Sequence, residues 1–451
     1  MKPSSSVRTE PLPPDFIEAC TKAWGAEAEP RLLALNQPAV SSIRLHPQKR
    51  FSHSTLEKVP WHPEGRYLVQ RPVFTLDPAF HAGAYYVQEA SSMVLWEVIN
   101  QLPKPKFAID LAAAPGGKST LLLDWMQEKG WLLANEPIPN RALALQDNLK
   151  KWGYSNSMQS RVYPEQLAIA IPESADLLLL DAPCSGEGMF RKDAFARQQW
   201  SFHLRTQCAK TQTSILPDAV KLIKPGGHLI YSTCTFNEHE NLGHADLLFS
   251  LGMRPVQLNL SEDFGFKQLP NSMGWIAYPG EVKGEGFYVA VWKKEGTWVE
   301  EEMEVAPKSA NSCPFSAYLP EHVQWNCMEW NSAWYAIRQP LPSFWSRIPG
   351  LQFLGICLGK SEKGRSIPDA HLAFISGCSA PRLSLDEVQV LPYLKGLAPV
   401  FKPQSEPWIL AEFNGLGLGW LKTAGNRFNN AYPQPWRIRM DIPAKLSNPW
   451  L

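Results

Sequence analysis

Asp110-Leu-Ala-Ala-Ala-Pro-Gly-Gly-Lys118-Ser119, directly after the apolar run 107–109, is the stretch on which the fold turns. An apolar run, a glycine-rich turn and a helix opening at about Ser119 read as one half of a βαβ unit. Glycine lets the backbone approach a ligand closely, and the first turn of a helix offers free N–H groups. Working outward, further apolar runs at 131–134, 177–180 and 229–232, and a weaker one at 156–162, alternate with helix-length stretches. That alternation predicts an α/β domain with a parallel sheet. The run 287–292 is expected to close it as an edge strand. In such a sheet ligands bind beyond the carboxyl ends of the strands. The residues that follow the runs are Asp110 with its turn, Asn135-Glu136, Asp181-Ala-Pro-Cys184 and Thr233-Cys234-Thr235. Four strands thus deliver polar or reactive groups to one edge. Glu136 falls roughly 20 residues after the glycine turn, the usual place of an acid that binds ribose hydroxyls.

A rival reading rests on the same turn. Ala112 to Ser119 nearly matches the P-loop pattern, and 177–181 resembles the run and Asp that hold magnesium in a nucleotidase. Against it, Ala112 replaces the first glycine, and Pro115 removes an N–H from a loop whose N–H groups cradle phosphates. It also leaves Cys184 and Cys234 unexplained. A lone cysteine is usually a small buried hydrophobe. Two on one ligand edge, one of them near Asp181, point to thiolate chemistry. Methylation of a pyrimidine at C5 uses such a set. A thiolate adds to C6 and makes C5 enamine-like, while an acid near N3 stabilises the charge on the ring. C5 then attacks the methyl group of S-adenosylmethionine. Loss of the C5 proton and expulsion of the thiolate complete the turnover.

Asp-Leu-Ala-Ala-Ala-Pro-Gly-Gly-Lys-Ser, Leu-Asp-Ala-Pro-Cys-Ser-Gly-Glu-Gly-Met and Tyr-Ser-Thr-Cys-Thr-Phe-Asn resemble the motifs of the Nol/Nop/Sun family of RNA (cytosine-5) methyltransferases. The likeness runs over nearly the whole chain. Gln88-Glu-Ala-Ser-Ser-Met93 is similar to the segment before the methyltransferase fold, and Gly284-Glu-Gly-Phe-Tyr-Val-Ala-Val291 to its last strand. Ser42-Ile-Arg-Leu45 resembles the N-terminal RNA-binding domain. The stretches 419–430 and 436–440 look like the C-terminal PUA-like region of RsmF-type 16S rRNA methyltransferases. The resemblance implies an α/β, Rossmann-like class I S-adenosylmethionine-dependent methyltransferase core. An N-terminal α+β RNA-binding domain and C-terminal PUA-like β-containing domains would flank it. The implied boundaries are 1–98, 99–295, a linker at 296–311, an intermediate unit at 312–395 and the PUA-like unit at 396–451. It makes Cys234 the C6 nucleophile and Cys184 the thiol that assists release of the methylated base. Asp181 contacts the flipped cytosine, and Lys118 lies between cofactor and active site. Ala112, Ala113, Ala114, Pro115, Gly116, Gly117, Lys118, Glu136 and Asp181 line the cofactor pocket, and no metal is implied. The family's Asp near the adenine has no counterpart: counting back from Asp181 puts Tyr163 there, with Glu165 nearby. The tails favour 16S rRNA over tRNA as partner, and a non-catalytic RNA-binding module is the remaining alternative.

The composition agrees with such an enzyme. A chain of 451 residues holds about three domains. The net charge of +1 excludes a polycation that grips nucleic acid by charge alone. Locally, 31–56 carries Arg31, Arg44, Lys49 and Arg50 and no acid, which reads as a solvated face or a phosphate-facing patch. Residues 402–451 carry six basic against three acidic residues. Trp420, Phe428, Tyr432 and Trp436 are interleaved there, as for stacking on unpaired bases. Eight scattered cysteines without a CxxC pair, no apolar leader and no long apolar run predict a cytoplasmic protein with free thiols and no membrane span. Nothing in the sequence demands an oligomer, so a monomer is expected.

Overall fold

The computed structural model describes residues 10–50, 56–297, 313–400 and 405–443, so the expected linker lies almost wholly outside the described residues. The apolar runs form five parallel strands: Phe107–Asp110, Trp131–Asn135, Ser157–Ser160, Ala175–Asp181 and Ile223–Thr233. Nearly every residue in them is buried, the pattern of a parallel sheet covered on both faces. In space the order is Ser157–Ser160, Trp131–Asn135, Phe107–Asp110, Ala175–Asp181, Ile223–Thr233. The first strand in the chain is therefore central, and the direction of travel reverses between it and Ala175–Asp181. That reversal opens a crevice at the carboxyl ends, flanked by the loops after Asp110 and Asp181.

Both margins of the sheet differ from expectation. Strand Phe287–Lys294 is not an edge: it lies antiparallel between Ile223–Thr233 on one side and Trp275–Ala277 and Met253–Pro255 on the other. Earlier chain covers its free backbone groups, which a run of apolar residues alone does not reveal. At the opposite margin Leu351–Leu354 pairs antiparallel with Ser157–Ser160. The intermediate unit placed at 312–395 therefore lends a strand to the central sheet, and Phe353 and Leu354 enter its core. The rest of that segment builds a four-stranded antiparallel sheet from Asn326–Trp330, Ala333–Ile337, Ile356–Glu362 and Arg365–Pro368. The last sheet starts before 396, because Arg382–Ser384 pairs parallel with Trp408–Phe413. Leu416–Ala424 and Arg427–Asn430 complete it.

At the N-terminal end, helix Pro14–Trp24 precedes a small antiparallel sheet of Gly65–Leu68, Ser41–Leu45 and Tyr85–Tyr86. Three cations of the basic run are neither solvated nor offered to phosphate. Arg31 is buried against Glu281, with its guanidinium 3.7 Å from the Tyr278 ring centroid. Lys49 is buried and donates to the carbonyls of Ala82 and Lys151. Arg44, fully buried, pairs with Asp124 and donates to Gln88 Oε1 (2.8 Å), Thr120 Oγ1 (2.5 Å) and the carbonyl of Gly117 (3.3 Å). Trp152 Nε1 donates to the other Asp124 oxygen at 2.9 Å, and the Arg44 guanidinium lies 4.6 Å from its ring centroid. A desolvated charge must be paired and hydrogen-bonded to be tolerated. This pair therefore ties the N-terminal sheet to helix Gly117–Met126, whose first turn is the glycine loop.

Removing one partner would leave the other charge buried. Arg44→Met is expected to lose about 3–5 kcal/mol of stability in urea unfolding, and Arg44→Met with Asp124→Asn to recover part of it.

Candidate active site

The crevice is a cavity of about 380 Å³. Its wall holds Ala112, Ala113, Ala114, Pro115, Gly117, Lys118 and Asp181 from the two crevice loops, with Asp110 at its base. The N-terminal unit supplies Tyr86 and Gln88, and Met189 and Lys192 follow the first cysteine loop. Two expected cofactor residues, Gly116 and Glu136, are not on this wall. Gly116 acts on the backbone: at φ +111 it caps the helix, and a Cβ there would approach Leu145 Cδ1 to 3.3 Å. Gly117 packs against the Tyr86 ring, which a Cβ would meet at 3.1 Å.

The charged groups are arranged in pairs. Lys118 Nζ donates to Asp181 Oδ2 at 2.7 Å, and Ser232 Oγ donates to Asp181 Oδ1 at 2.8 Å. Burial favours the neutral amine, but Asp181, then Cys234 and Asp110, hold the Lys118 ammonium above its ordinary range. Cys184 Sγ and Cys234 Sγ lie 3.2 Å apart as free thiols, on the loops after two neighbouring parallel strands. The contact with Cys234 and then burial push the Cys184 thiol well up, so Cys184 keeps its proton.

Two carboxylates that the sequence reading did not single out hold the cysteine loops together. Glu240 accepts from Ser185 N (2.8 Å), Ser185 Oγ (2.5 Å), Asn237 Nδ2 (2.7 Å) and Gln212 Nε2 (3.1 Å). Glu187 accepts from Phe236 N (2.8 Å), Asn237 N (3.1 Å) and Trp200 Nε1 (3.1 Å). Gly188 N closes the arrangement on the Cys234 carbonyl at 2.8 Å. Glu187 stands inside the quoted Pro-Cys motif, but Glu240 sits in the polar run Asn237-Glu-His-Glu-Asn241, where nothing local marks it out. Asn135 does similar work on the other side. It donates to the carbonyls of Leu111 and Val162 and accepts from Ser160 Oγ and Val162 N.

Three family descriptions match in succession along this chain. "N-terminal domain of 16S rRNA methyltransferase RsmF" covers residues 12–90, "16S rRNA methyltransferase RsmB/F" covers 99–293, and "Methyltransferase RsmF PUA domain" covers 380–438. Ribosomal RNA small subunit methyltransferase F of Klebsiella pneumoniae (strain 342) is 30% identical over 406 residues, covering 84% of each chain. The chain belongs to the RsmF family of methyltransferases. A Shewanella oneidensis protein of the same name is 29% identical over 93% of this chain and 92% of its own. Among solved structures, a methyltransferase homolog protein from Pyrococcus horikoshii is similar with 25% identity and a TM-score of 0.52, covering 63% of this chain and all of that one. NSun6 from the same organism, solved with SFG, shares the fold at 22% identity and a TM-score of 0.54, covering 64% of this chain and 100% of that one.

Within that family fold, three expectations are revised or left in place by geometry. Tyr163, expected by counting back from Asp181 at the place of the family's adenine-side Asp, is 63% exposed at the start of helix Pro164–Ala170. Its N–H donates to Gln166 Oε1, so the position serves as a helix start, and Glu165 is exposed. Glu136 is buried, with Oε1 accepting from Ile138 N at 3.0 Å. Its Oε2 lies 3.4 Å from Arg141 Nη2 and has no hydrogen-bond donor among the described residues. The C-terminal aromatics are core rather than a stacking surface: Trp420, Phe428 and Tyr432 are all buried. Trp420 Nε1 donates to the Asp369 carbonyl, and Tyr432 OH meets His81 Nδ1 of the N-terminal unit at 2.8 Å. Trp436 is half-buried under Lys151, while Lys402 and Lys445 lie outside the described residues.

Asp110 is the buried acid under the cavity. Ser119 Oγ donates to Oδ2 at 2.6 Å, while Oδ1 has no donor among the described residues. Burial pushes its carboxyl up to about 7, helped by Asp181 and opposed by Ser119 and Lys118. With its folded value raised, its contribution to stability is complete below the ordinary value of 3.8 and is lost as pH rises through about 7. Asp110→Asn is therefore expected to melt several degrees above the parent at alkaline pH in ligand-free protein, with the gap closing in acid. Thermal denaturation at both extremes checks it.

Proposed function

We propose that this chain transfers a methyl group from S-adenosylmethionine to C5 of a cytosine in 16S rRNA, through a covalent bond from Cys234 Sγ to C6. The observation that carries the reading is the pair of thiols 3.2 Å apart beside the Lys118–Asp181 ion pair, at the switch point of the sheet. The names of the relatives support rRNA of the small subunit as the substrate. The nucleotidase alternative loses ground because the matched family description runs through the very turn on which it rested.

The residues present fit the cofactor. Asp110, on the cavity wall, has a buried Oδ1 without a donor among the described residues, and small residues line the cavity between it and Asp181; Glu136, with Oε2 likewise lacking a donor, lies outside that wall. Ala112, Ala113, Ala114, Gly117 and Asp110 would hold the amino-acid end, and Glu136 the ribose. When bound, S-adenosylmethionine supplies an electrophilic methyl group to an activated C5.

The chain's own groups prepare the base and release it. A target base must leave its stack to reach the half-buried Cys234 thiol. Cys234 Sγ attacks C6, which puts electron density on C5 and negative charge toward N3 and O2. Asp181, fixed by Lys118 and Ser232, stands ready for the ring edge, and the Lys118 ammonium stabilises negative charge in the site. Cys184, whose proton is retained in the resting protein, faces Cys234 Sγ at 3.2 Å. Once that proton has passed to solvent, the Cys184 thiolate can take the C5 proton, directly or by way of water, and the C6–S bond breaks with Cys234 leaving as a thiolate. Glu187 and Glu240 act as positioning residues, because they clamp the two cysteine loops without facing the cavity.

Methyl transfer from labelled cofactor to 16S rRNA tests this reading, with bisulfite sequencing to locate the product. Cys234→Ala should give no product. Cys184→Ala should accumulate a protein–RNA complex that survives denaturation, because addition proceeds while elimination stalls. Full activity in Cys234→Ala would show the nucleophile to be wrongly assigned.

A further inference from the structure

A second cavity, of about 200 Å³, lies outside the cofactor crevice and shares none of its lining. Helix Pro14–Trp24 provides one side of it, with Ala23 and Trp24 at the wall. The loop after the second cysteine, residues 236–239, provides the other. Five aromatic side chains line it: Phe16, Trp24, Trp200, Phe236 and Tyr278. Trp24 meets Phe236 at 5.8 Å and Tyr278 at 5.6 Å between centroids, and Phe16 meets Trp200 at 5.2 Å. Polar groups gather at the rim. Arg205 lies 4.8 Å from the Phe202 ring centroid, and His239 and Glu238 are exposed. Among the described residues, no carboxylate pairs with the Arg205 guanidinium.

The cavity is coupled to the nucleophile by chain and by hydrogen bonds. Asn237, on its wall, is three residues from Cys234, at most about 11 Å of backbone. Glu187, also on the wall, accepts the N–H groups of Phe236 and Asn237, and the next residue donates to the Cys234 carbonyl. An aromatic slot with a cation at its mouth is what unpaired bases use for recognition, the ring stacking and the phosphate meeting the guanidinium. A core packing defect would not place an unpaired arginine and an exposed histidine at the rim. We infer that this cavity takes one unstacked nucleobase next to the methylated cytosine, stacked against Trp24 with its phosphate at Arg205.

The inference rests on the proposed action on RNA, and the test separates the two. Ala23 is an exposed helix residue on the cavity wall, so Ala23→Trp fills the slot without opening the core. With full-length protein and 16S rRNA, Ala23→Trp and Arg205→Ala should each raise KM for RNA by about tenfold, the size of one base stack. The kcat and the affinity for S-adenosylmethionine should stay within about twofold of the parent, the split expected for lost ground-state binding. A photoreactive benzoylphenylalanine in place of Ala23 should crosslink to a nucleotide adjoining the methylated cytosine. Unchanged KM in both variants, or a crosslink remote from that cytosine, overturns the inference while leaving the methyltransferase reading intact. Failure of the parent protein to methylate RNA overturns both.

Discussion

A guanidinium with no access to water organises this molecule. Arg44 cannot stay charged in the interior unless its donors are matched; Gln88 of its own unit takes one, and the other matches come from across the domain boundary, on helix Gly117–Met126 and its first turn. Asp124, held in turn by Trp152, takes the charge. The Gly117 carbonyl and Thr120 take the remaining N–H groups, so the N-terminal sheet braces the first turn of the helix that shapes the crevice. Tyr86 and Gln88 reach the cavity wall from the same small sheet and its following loop. The N-terminal unit is thus part of the site's wall, and its conformational freedom is coupled to that of the glycine loop.

The paired cysteine loops depend on a different buried-charge arrangement. Two parallel strands end side by side, which brings Cys184 and Cys234 near each other, but loops after strands are mobile unless held. Glu187 and Glu240 hold them by accepting backbone and side-chain donors from the opposite loop. Burial raises the cost of leaving those donors unpaired, so the carboxylates fix the loops more firmly than exposed groups could. The same clamp forms one wall of the aromatic cavity, and occupancy there and geometry at Cys234 share hydrogen bonds.

Much of the catalytic sheet was legible because strand-ending residues announce themselves. An apolar run followed at once by Asp110, Asn135, Asp181 or Thr233 needs only local sequence to be read, and each lies at the carboxyl end of its strand. Surface readings were another matter. Arg31, Arg44 and Lys49 looked like a basic face, and Trp420, Phe428 and Tyr432 like a stacking platform, yet all six are interior. Charge and ring count do not say whether a partner such as Glu281, Asp124 or His81 waits hundreds of residues or merely one helix away. Likewise the run that forms strand Phe287–Lys294 could not reveal that Trp275–Ala277 would cover its far side.

The sequence by itself determined the class of the chain, the ligand edge of the sheet and the identity of the two thiols. Those follow from short-range order: period, turn chemistry and residues a few positions apart. Tertiary structure alone decided which cations are structural, that contact with Cys234 and burial raise the Cys184 thiol, and that Leu351–Leu354 extends the central sheet. Each of these depends on burial and on contacts between distant segments. Desolvation is a property of the folded environment, and no local stretch of residues encodes it alone.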